Sequence, residues 1–233
     1  MIFMSVYLAV DSATVFCSVS VIKDEQCFAH SEDMGRNHSK QMLNMVDDVL
    51  SEADVALTDI DQFCYVRGPG SFTGVRIAAS FLHGLAFGQE KDVIGISSLL
   101  TMAYEAKQTH PEEDHFLVAL DARMDEVYFA AVDFSKSDWA SNLIEQVIAP
   151  EKVVWEESYS HAKRIGDGWQ YLERFDAMFA SITQLDCANK PNAKFCAKLV
   201  SDCHKNKIEF THDAFPVYLR DDVTWKQKPK VGS

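Results

Sequence analysis

The chain carries one pattern twice: an apolar strand, an aspartate at its end, a turn and an apolar return strand. The first copy spans residues 8–22 and the second spans residues 118–132, which places Asp121 on Asp11 at an offset of 110 residues. A duplicated structural unit explains an offset that is kept through a whole hairpin. A chance similarity between two buried hairpins is the alternative, and we favour duplication.

Alternating strand and helix patterns follow the first copy. Apolar spacing predicts strands at residues 26–29, 63–66 and 93–96, which alternate with helices at residues 42–53, 77–87 and 98–107. This order is typical of a mixed sheet with a parallel half.

A polar loop then breaks the pattern and marks the best candidate for a domain boundary. It covers residues 109–114 and contains a proline and three acidic residues. We therefore predict an N-terminal lobe of residues 1–109 and a C-terminal lobe of residues 110–233. After the second hairpin, a weaker strand pattern occurs at 143–149, and helices are predicted near 169–182 and 191–205.

A glycine-rich turn separates the strand at 63–66 from the helix after it. Its residues are Arg67, Gly68, Pro69, Gly70, Ser71, Phe72, Thr73, Gly74, Val75 and Arg76. Such a turn can point backbone amides outward, Ser71 or Thr73 can cap the helix, and capped helix N-termini bind phosphates. The Gly-Lys-Ser/Thr ending of a nucleoside-triphosphate loop is absent from the sequence. An anion site and a structural turn both remain open.

The charge balance weighs against direct binding to nucleic acid. The 233 residues include 35 acidic residues and 22 lysines and arginines, which gives a formal net charge of −13. A phosphate-driven contact needs a positive surface. The exception is a basic tail, in which Lys226, Lys228 and Lys230 follow Trp225, and for it we expect a solvated terminus.

Cysteine usage and hydropathy predict the compartment. The six cysteines include no Cys-x-x-Cys pair, and several lie in apolar strand patterns, which favours buried reduced thiols. The sequence shows no signal-peptide pattern and no apolar run of the roughly 18 residues that a membrane span needs. We expect a soluble protein of the cytoplasm.

Several strings carry a resemblance to a known family. Two units that begin with strand, aspartate, turn and return strand are typical of the actin-like ATPase and sugar-kinase superfamily. Within it, the strings Gly68–Arg76 and Asp121–Tyr128 resemble the TsaB (YeaZ) family, with weaker matches at 8–14, 166–170, 216–220 and 225–226. The resemblance implies a two-lobed, duplicated α/β fold of the actin-like (RNase H-like) type, with helices flanking mixed sheets.

The resemblance also implies a function. Members of this family take part in making threonylcarbamoyladenosine next to the anticodon of tRNAs. They are similar in fold to the transferase TsaD, yet they are not the transferase; they bind and activate it together with the small ATPase TsaE. The implied protein is a scaffold in a heterodimer with a TsaD-type transferase. It touches tRNA only through the complex, and a homodimer is an alternative state when it is alone.

Two aspartates are the candidates for chemistry. Asp11 and Asp121 end equivalent strands, and two carboxylates with phosphate oxygens suffice for magnesium. Each aspartate can instead cap its own turn, which we favour. Arg123 is expected to form a structural ion pair with Asp11 or Asp121, whereas Arg76 is left open between a structural role and an anion-binding role.

Other catalytic patterns are missing from the sequence. None of the eight histidines forms a His-x-x-x-His pair, and His38 lacks a histidine at positions 34 and 42. Ser71 lies between Gly70 and Phe72 rather than in a Gly-x-Ser-x-Gly elbow. We predict no catalytic residue, no metal ligand and no tightly bound cofactor, with room for magnesium and ATP or ADP at the interface of the complex.

Two helices carry surplus apolar surface, and we predict that they bind the partner. The residues predicted for this interface are His38, Met42, Met45, Val46, Val49, Ser80, His83, Gly84 and Phe87. The methionines suit an adaptable contact, and small residues at 80, 84 and 88 let a second helix approach closely. The alternative is that both rows pack inside this chain.

One other function stays open at this point. An autonomous magnesium-ATP-dependent ATPase or phosphotransferase would use Asp11, the glycine-rich turn and Asp121. That enzyme would bind magnesium-ATP alone and lose binding on Asp11→Ala, whereas the scaffold would act only with its partner.

Overall fold

Two mixed sheets with flanking helices make up the fold. A computed structural model describes residues 5–33, 38–210 and 213–220, with side chains of 38–40 left out. The first sheet contains β1 (Tyr7–Asp11), β2 (Phe16–Lys23), β3 (Gln26–Asp33), β4 (Gln62–Gly68) and β5 (Val93–Ser97), in the order β3-β2-β1-β4-β5. The second contains β6 (His115–Arg123), β7 (Glu126–Asp133), β8 (Gln146–Ile148) and β9 (Lys163–Ile165), in the order β8-β7-β6-β9. The α-helices are α1 (His38–Glu52), α2 (Phe72–Gly88), α3 (Ser98–Thr109) and α4 (Ala193–Asn206).

The two sheets repeat one arrangement. β1 pairs antiparallel with β2 and parallel with β4, while β6 pairs antiparallel with β7 and parallel with β9. Each parallel strand leads into a glycine with a φ of +100°, Gly68 in one sheet and Gly166 in the other. This backbone conformation favours glycine. The predicted α/β class with two related mixed sheets is confirmed, and the matching order supports the duplication.

The strands at the centre of the first sheet are apolar because both of their faces are covered. All five residues of β1 are buried, and so are Phe63, Cys64, Tyr65 and Val66 of β4. Continuous apolar runs of this kind are typical of strands between helical layers. Among the described residues, no helix is long and apolar enough to cross a membrane.

The helix at 77–87 begins earlier than its apolar spacing predicted. Ser71 is the N-cap of α2, and its Oγ accepts a hydrogen bond from the Gly74 N–H at 3.3 Å. The first turn of α2 therefore includes the glycine-rich sequence. Capping chemistry, rather than apolar periodicity, determines where this helix starts.

The helix predicted near 169–182 is replaced by two short 3-10 helices, Asp167–Arg174 and Ala177–Ser181. Asp176 separates them because its side chain accepts from the Met178 N–H at 2.9 Å and caps the second one. Trp169 anchors the first by donating from Nε1 to the Ile165 carbonyl at 3.0 Å. The helix predicted at 191–205 is confirmed as α4, which Asn192 caps.

The predicted boundary after residue 109 separates the two sheets, but it does not separate the helices that pack on the first sheet from those that pack on the second. α4 follows the second sheet in sequence, yet it packs against β1, β2 and β4 of the first. Ala193 N–H donates to Ser18 Oγ at 2.8 Å, and this bond is buried. The assignment of all of residues 110–233 to a C-terminal lobe is therefore wrong for α4, because the core of the first sheet needs that helix as its cover.

Candidate functional site

The glycine-rich turn packs on the turn between β1 and β2. Ser71 N–H donates to the Ala13 carbonyl at 2.6 Å, and Ser12 Oγ donates to the Gly74 carbonyl at 2.8 Å. A Cβ on Gly74 would lie 1.9 Å from the Ser12 carbonyl oxygen, and one on Gly70 would lie 2.4 Å from that of Ala13. The glycines allow two backbone segments to approach closely, so the structural interpretation of this turn has direct support.

Asp11 caps the turn that the glycine-rich segment covers. Its side chain has no solvent exposure, and its Oδ1 accepts from the Ala13 N–H at 2.8 Å. Its Oδ2 has no hydrogen-bond partner among the described residues. Burial raises the pKa of the Asp11 carboxyl to about 7. The favoured interpretation of Asp11 as a turn cap is confirmed.

Asp121 has the same local role at the end of β6. Its Oδ1 accepts from the Arg123 N–H at 2.8 Å and from the Tyr171 hydroxyl at 3.3 Å. Arg123 thus meets this carboxylate through its backbone rather than its guanidinium, and the predicted ion pair is wrong. The reason is the left-handed turn, since Arg123 has a φ of +60° and an exposed side chain.

These contacts occupy groups that a nucleotide site would need. The Ser71 and Ala13 amides are used within the chain, and the Asp11 carboxyl is enclosed. Within the described residues, no group of three or more His, Cys, Asp or Glu side chains is placed to hold a metal ion. A phosphate bound at this turn would have to displace these internal hydrogen bonds, and a metal bound at Asp11 would have to reach an enclosed carboxyl.

The predicted interface residues of α1 are core residues, and that part of the prediction is wrong. Met42, Met45, Val46 and Val49 are at most 4% exposed. They pack against the first sheet, so their wide apolar stripe serves this chain's own core. Leu43 is 46% exposed on the same helix. The predicted contact through His38 lies outside the described side chains.

The interface residues predicted on α2 are exposed or half-buried, unlike the four buried ones of α1. Ser80, Gly84 and Phe87 are exposed, and Phe87 is 86% exposed. A Cβ on Gly84 would meet nothing within 4 Å. His83 is half-buried, and its Nε2 lies 2.8 Å from the Ala214 carbonyl oxygen. We call the exposed side of this helix the α2 face; its groove of about 520 Å³ is lined by Phe72, Thr73, Arg76, Ile77, Ser80 and Phe81.

Residues 213–220 form a strap across the start of the α2 face, which sequence reasoning missed. Val217 N–H donates to the Arg67 carbonyl at 2.9 Å, and the Tyr65 hydroxyl donates to the Ala214 carbonyl at 3.0 Å. Farther along, Arg220 forms an ion pair with Glu126 at the start of β7. The strap therefore links the first sheet to the second. Its sequence matched the family, but nothing in its periodicity located it.

Arg76 lies where the strap meets the α2 face. Its Nε donates to the Tyr218 hydroxyl at 2.8 Å, and its Cζ lies 3.6 Å from the ring centroid of Phe72. The Phe72 and Tyr218 rings contact each other, with centroids 5.2 Å apart. The structure therefore gives Arg76 a partner that sequence reasoning had not identified, and leaves its side chain exposed.

The fold and this site define a class of protein. A family model described as TsaD, tRNA N6-adenosine threonylcarbamoyltransferase, matches residues 29–226. A solved structure described as YeaZ from Pseudomonas aeruginosa is 34% identical, with 93% of this chain and 100% of that chain covered and a TM-score of 0.80. The chain has the actin-like α/β fold of this class.

Relatives narrow the class further. A protein from Haemophilus influenzae is 37% identical over 232 residues, which cover 95% of this chain and 96% of the relative. One from Escherichia coli is 36% identical over 227 residues, which cover 95% and 97%. Both are named tRNA threonylcarbamoyladenosine biosynthesis protein TsaB. The chain belongs to the TsaB (YeaZ) family, and the resemblance found in its sequence is confirmed.

Proposed function

We propose that this chain acts in the biosynthesis of threonylcarbamoyladenosine in tRNA as a non-catalytic subunit. In this role it binds a TsaD-type transferase and holds it in an active form. The relatives named for this biosynthesis cover nearly their whole length, which supports the pathway. The observation that carries the scaffold role is the α2 face, an exposed helix surface with an open position at Gly84.

The internal contacts of the glycine-rich turn favour a scaffold over an autonomous enzyme. In this chain Ser71 and Gly74 bind the β1–β2 turn, and Asp11 caps it. A phosphate would have to break those bonds, and a metal would have to open the core around Asp11. The turn instead fixes the first residues of α2. We infer that its role is to hold the α2 face in position.

The α2 face suits a second helix. Ser80, Gly84 and Gly88 recur every four residues, and Cβ atoms added at the two glycines would meet open space. Small residues at this spacing allow two helices to approach closely and pack by ridges and grooves. Phe72 and Phe87 stand exposed at the two ends of the helix. An exposed apolar surface of this kind marks an interaction site.

The proposal includes the further partners that the family implies. A TsaE-type ATPase joins the complex, tRNA is contacted through the complex, and magnesium with ATP or ADP binds at the subunit interface. A homodimer through the α2 face is the state that competes with the heterodimer when the chain is alone.

Complex formation tests the proposal. The chain and the TsaD-type subunit from the same organism are mixed and analysed by size-exclusion chromatography with light scattering. We expect a stoichiometric complex, and we expect Gly84→Leu to abolish it because a large side chain blocks the close approach. Leucine is the better helix former by about 0.8 kcal/mol, so this variant stays folded. Absence of a complex with the unaltered chain, with and without magnesium-ATP, refutes the proposal.

A matched control separates the α2 face from general effects. Ser80→Glu places a charge on the face, and Ser160→Glu places the same charge on an exposed residue beside the second sheet. We expect the first to weaken the complex and the second to leave it intact. Equal effects of the two variants would show that added negative charge, rather than the α2 face, decides binding.

A further inference from the structure

The α2 face contains one charged side chain, and its charge is opposite to that of the whole protein. Arg76 lines the groove together with uncharged residues only. Helix α2 has no aspartate or glutamate from Phe72 to Gly88, while the chain as a whole has a formal net charge of −13. An exposed cation in an uncharged groove is a specific feature of this surface.

Contacts on one side fix the orientation of the Arg76 guanidinium. Its Cζ lies 3.6 Å from the Phe72 centroid and 5.2 Å from the Tyr218 centroid, and its Nε donates to the Tyr218 hydroxyl. Among the described residues no carboxylate forms an ion pair with Arg76, and no hydrogen bond uses its two Nη atoms. Guanidinium groups that are oriented in this way bind carboxylates through two parallel hydrogen bonds.

The energetics of covering this groove limit what can cover it. A partner helix that packed over Phe72, Ile77 and Phe81 would remove water from Arg76 as well. Burying an unpaired charge is costly, and a buried charge pair is retained only when both members are satisfied. For a partner without a carboxylate at this position, the cost of burying Arg76 would therefore offset most of the binding free energy that the apolar contact provides.

We propose that Arg76 is a specificity-determining residue of the α2 face. Its partner is a helix of the TsaD-type subunit that places an aspartate or glutamate against the two Nη atoms and small side chains over Ser80 and Gly84. Tyr218 of the strap is a positioning residue for this contact. The inference rests on the proposed function and adds the chemistry by which the partner is recognised.

A second copy of this chain is the other occupant that carries acidic groups on a helix. Asp47 and Asp48 are exposed on α1. Two copies each carry the formal net charge of −13, however, and this repulsion opposes self-association. A symmetric contact between two α2 helices would also bring Arg76 against a helix without carboxylates. Both considerations favour the transferase-type subunit.

The test is the dissociation constant of the full-length chain with the TsaD-type subunit, measured by calorimetry at low and high salt. We expect Arg76→Gln to weaken binding at least about tenfold and to reduce its salt dependence. Arg76→Lys should retain part of the affinity, since an ammonium lacks the planar pair of donors. Tyr218→Phe should weaken binding by about threefold, as expected for one lost hydrogen bond.

Arg174→Gln is the matched control. It removes the same charge from an arginine beside the second sheet, whose Cζ lies 5.8 Å from the ring centroid of Tyr171 and whose guanidinium pairs with Glu151 within this chain. This variant should bind like the unaltered chain, and thermal unfolding of each variant verifies the fold. If Arg76→Gln does not fold, the dissociation constant of Arg76→Lys tests the inference instead, and an affinity equal to that of the unaltered chain would refute it.

Three outcomes would overturn the inference in different ways. If the unaltered chain binds and Arg76→Gln binds equally well, the inference fails and the proposed function stands. If Arg76→Gln changes only self-association, measured by light scattering, the occupant is a second copy. Absence of binding by the unaltered chain would instead refute the proposed function, and the inference with it.

Discussion

Replacing Asp11 by asparagine should make this protein more stable above neutral pH. The Asp11 carboxyl is fully enclosed, and among the described residues only one of its oxygens has a hydrogen-bond partner, the Ala13 N–H. Asparagine keeps that acceptor and has nearly the same shape, but it carries no charge. The asparagine amide nitrogen takes the place of Oδ2, which has no hydrogen-bond partner among the described residues, so the packing stays nearly the same.

The magnitude follows from the pKa of the buried group. Burial raises the pKa of Asp11 from 3.8 to about 7. Between these two pH values the folded state binds more protons than the unfolded state, so the free energy of unfolding falls as the pH rises. At about 1.4 kcal/mol for each pH unit, the loss is about 4 kcal/mol above pH 7. About 3 kcal/mol of it falls between pH 5 and pH 8.

Urea unfolding of both proteins at several pH values from 5 to 8 measures this effect. We expect the stability of Asp11→Asn relative to the unaltered chain to rise by about 3 kcal/mol across this range. Glu105, whose pKa is also raised to about 7 by burial, titrates in both proteins and cancels in the difference. A difference that stays constant with pH would refute the reasoning that Asp11 is buried as described.

Three further substitutions test the packing of the fold, each by its urea midpoint. Gly74→Ala should destabilise by more than about 2 kcal/mol, since its Cβ would lie 1.9 Å from the Ser12 carbonyl oxygen; a neutral effect would contradict the close approach. Ser18→Ala leaves the buried Ala193 N–H without its acceptor and should cost about 1–3 kcal/mol, whereas an unchanged midpoint would show that α4 does not need this bond. Met45→Glu should prevent folding because it buries a charge; a folded variant that only loses partner binding would restore the interface first predicted for α1.

The duplicated hairpins were predictable because their signals are local. An apolar strand that ends in an aspartate and returns after a short turn needs no distant contact to be recognised. The turn-capping roles of Asp11 and Asp121 follow from the same local chemistry, since a carboxylate two residues before an N–H can accept from it. The structure confirms both caps.

Contacts between distant parts of the chain were not predictable in the same way. The apolar stripe of α1 looked surplus because its spacing does not show that Met42 and Val49 face the sheet. The strap has no apolar period, and its contacts join Val217 to Arg67 and Arg220 to Glu126. The partner of Arg76 is Tyr218, which lies 142 residues away in sequence.

The scaffold role is tested by the rate at which threonylcarbamoyladenosine forms on tRNA in a reconstituted reaction. The TsaD-type and TsaE-type subunits are assayed with and without this chain, and the chain is also assayed without the TsaD-type subunit. We expect that this chain forms no product without the transferase, and that it raises the rate of the transferase unless Gly84 is replaced by leucine. Product formed without the transferase, or a transferase rate that this chain leaves unchanged, would contradict the scaffold role.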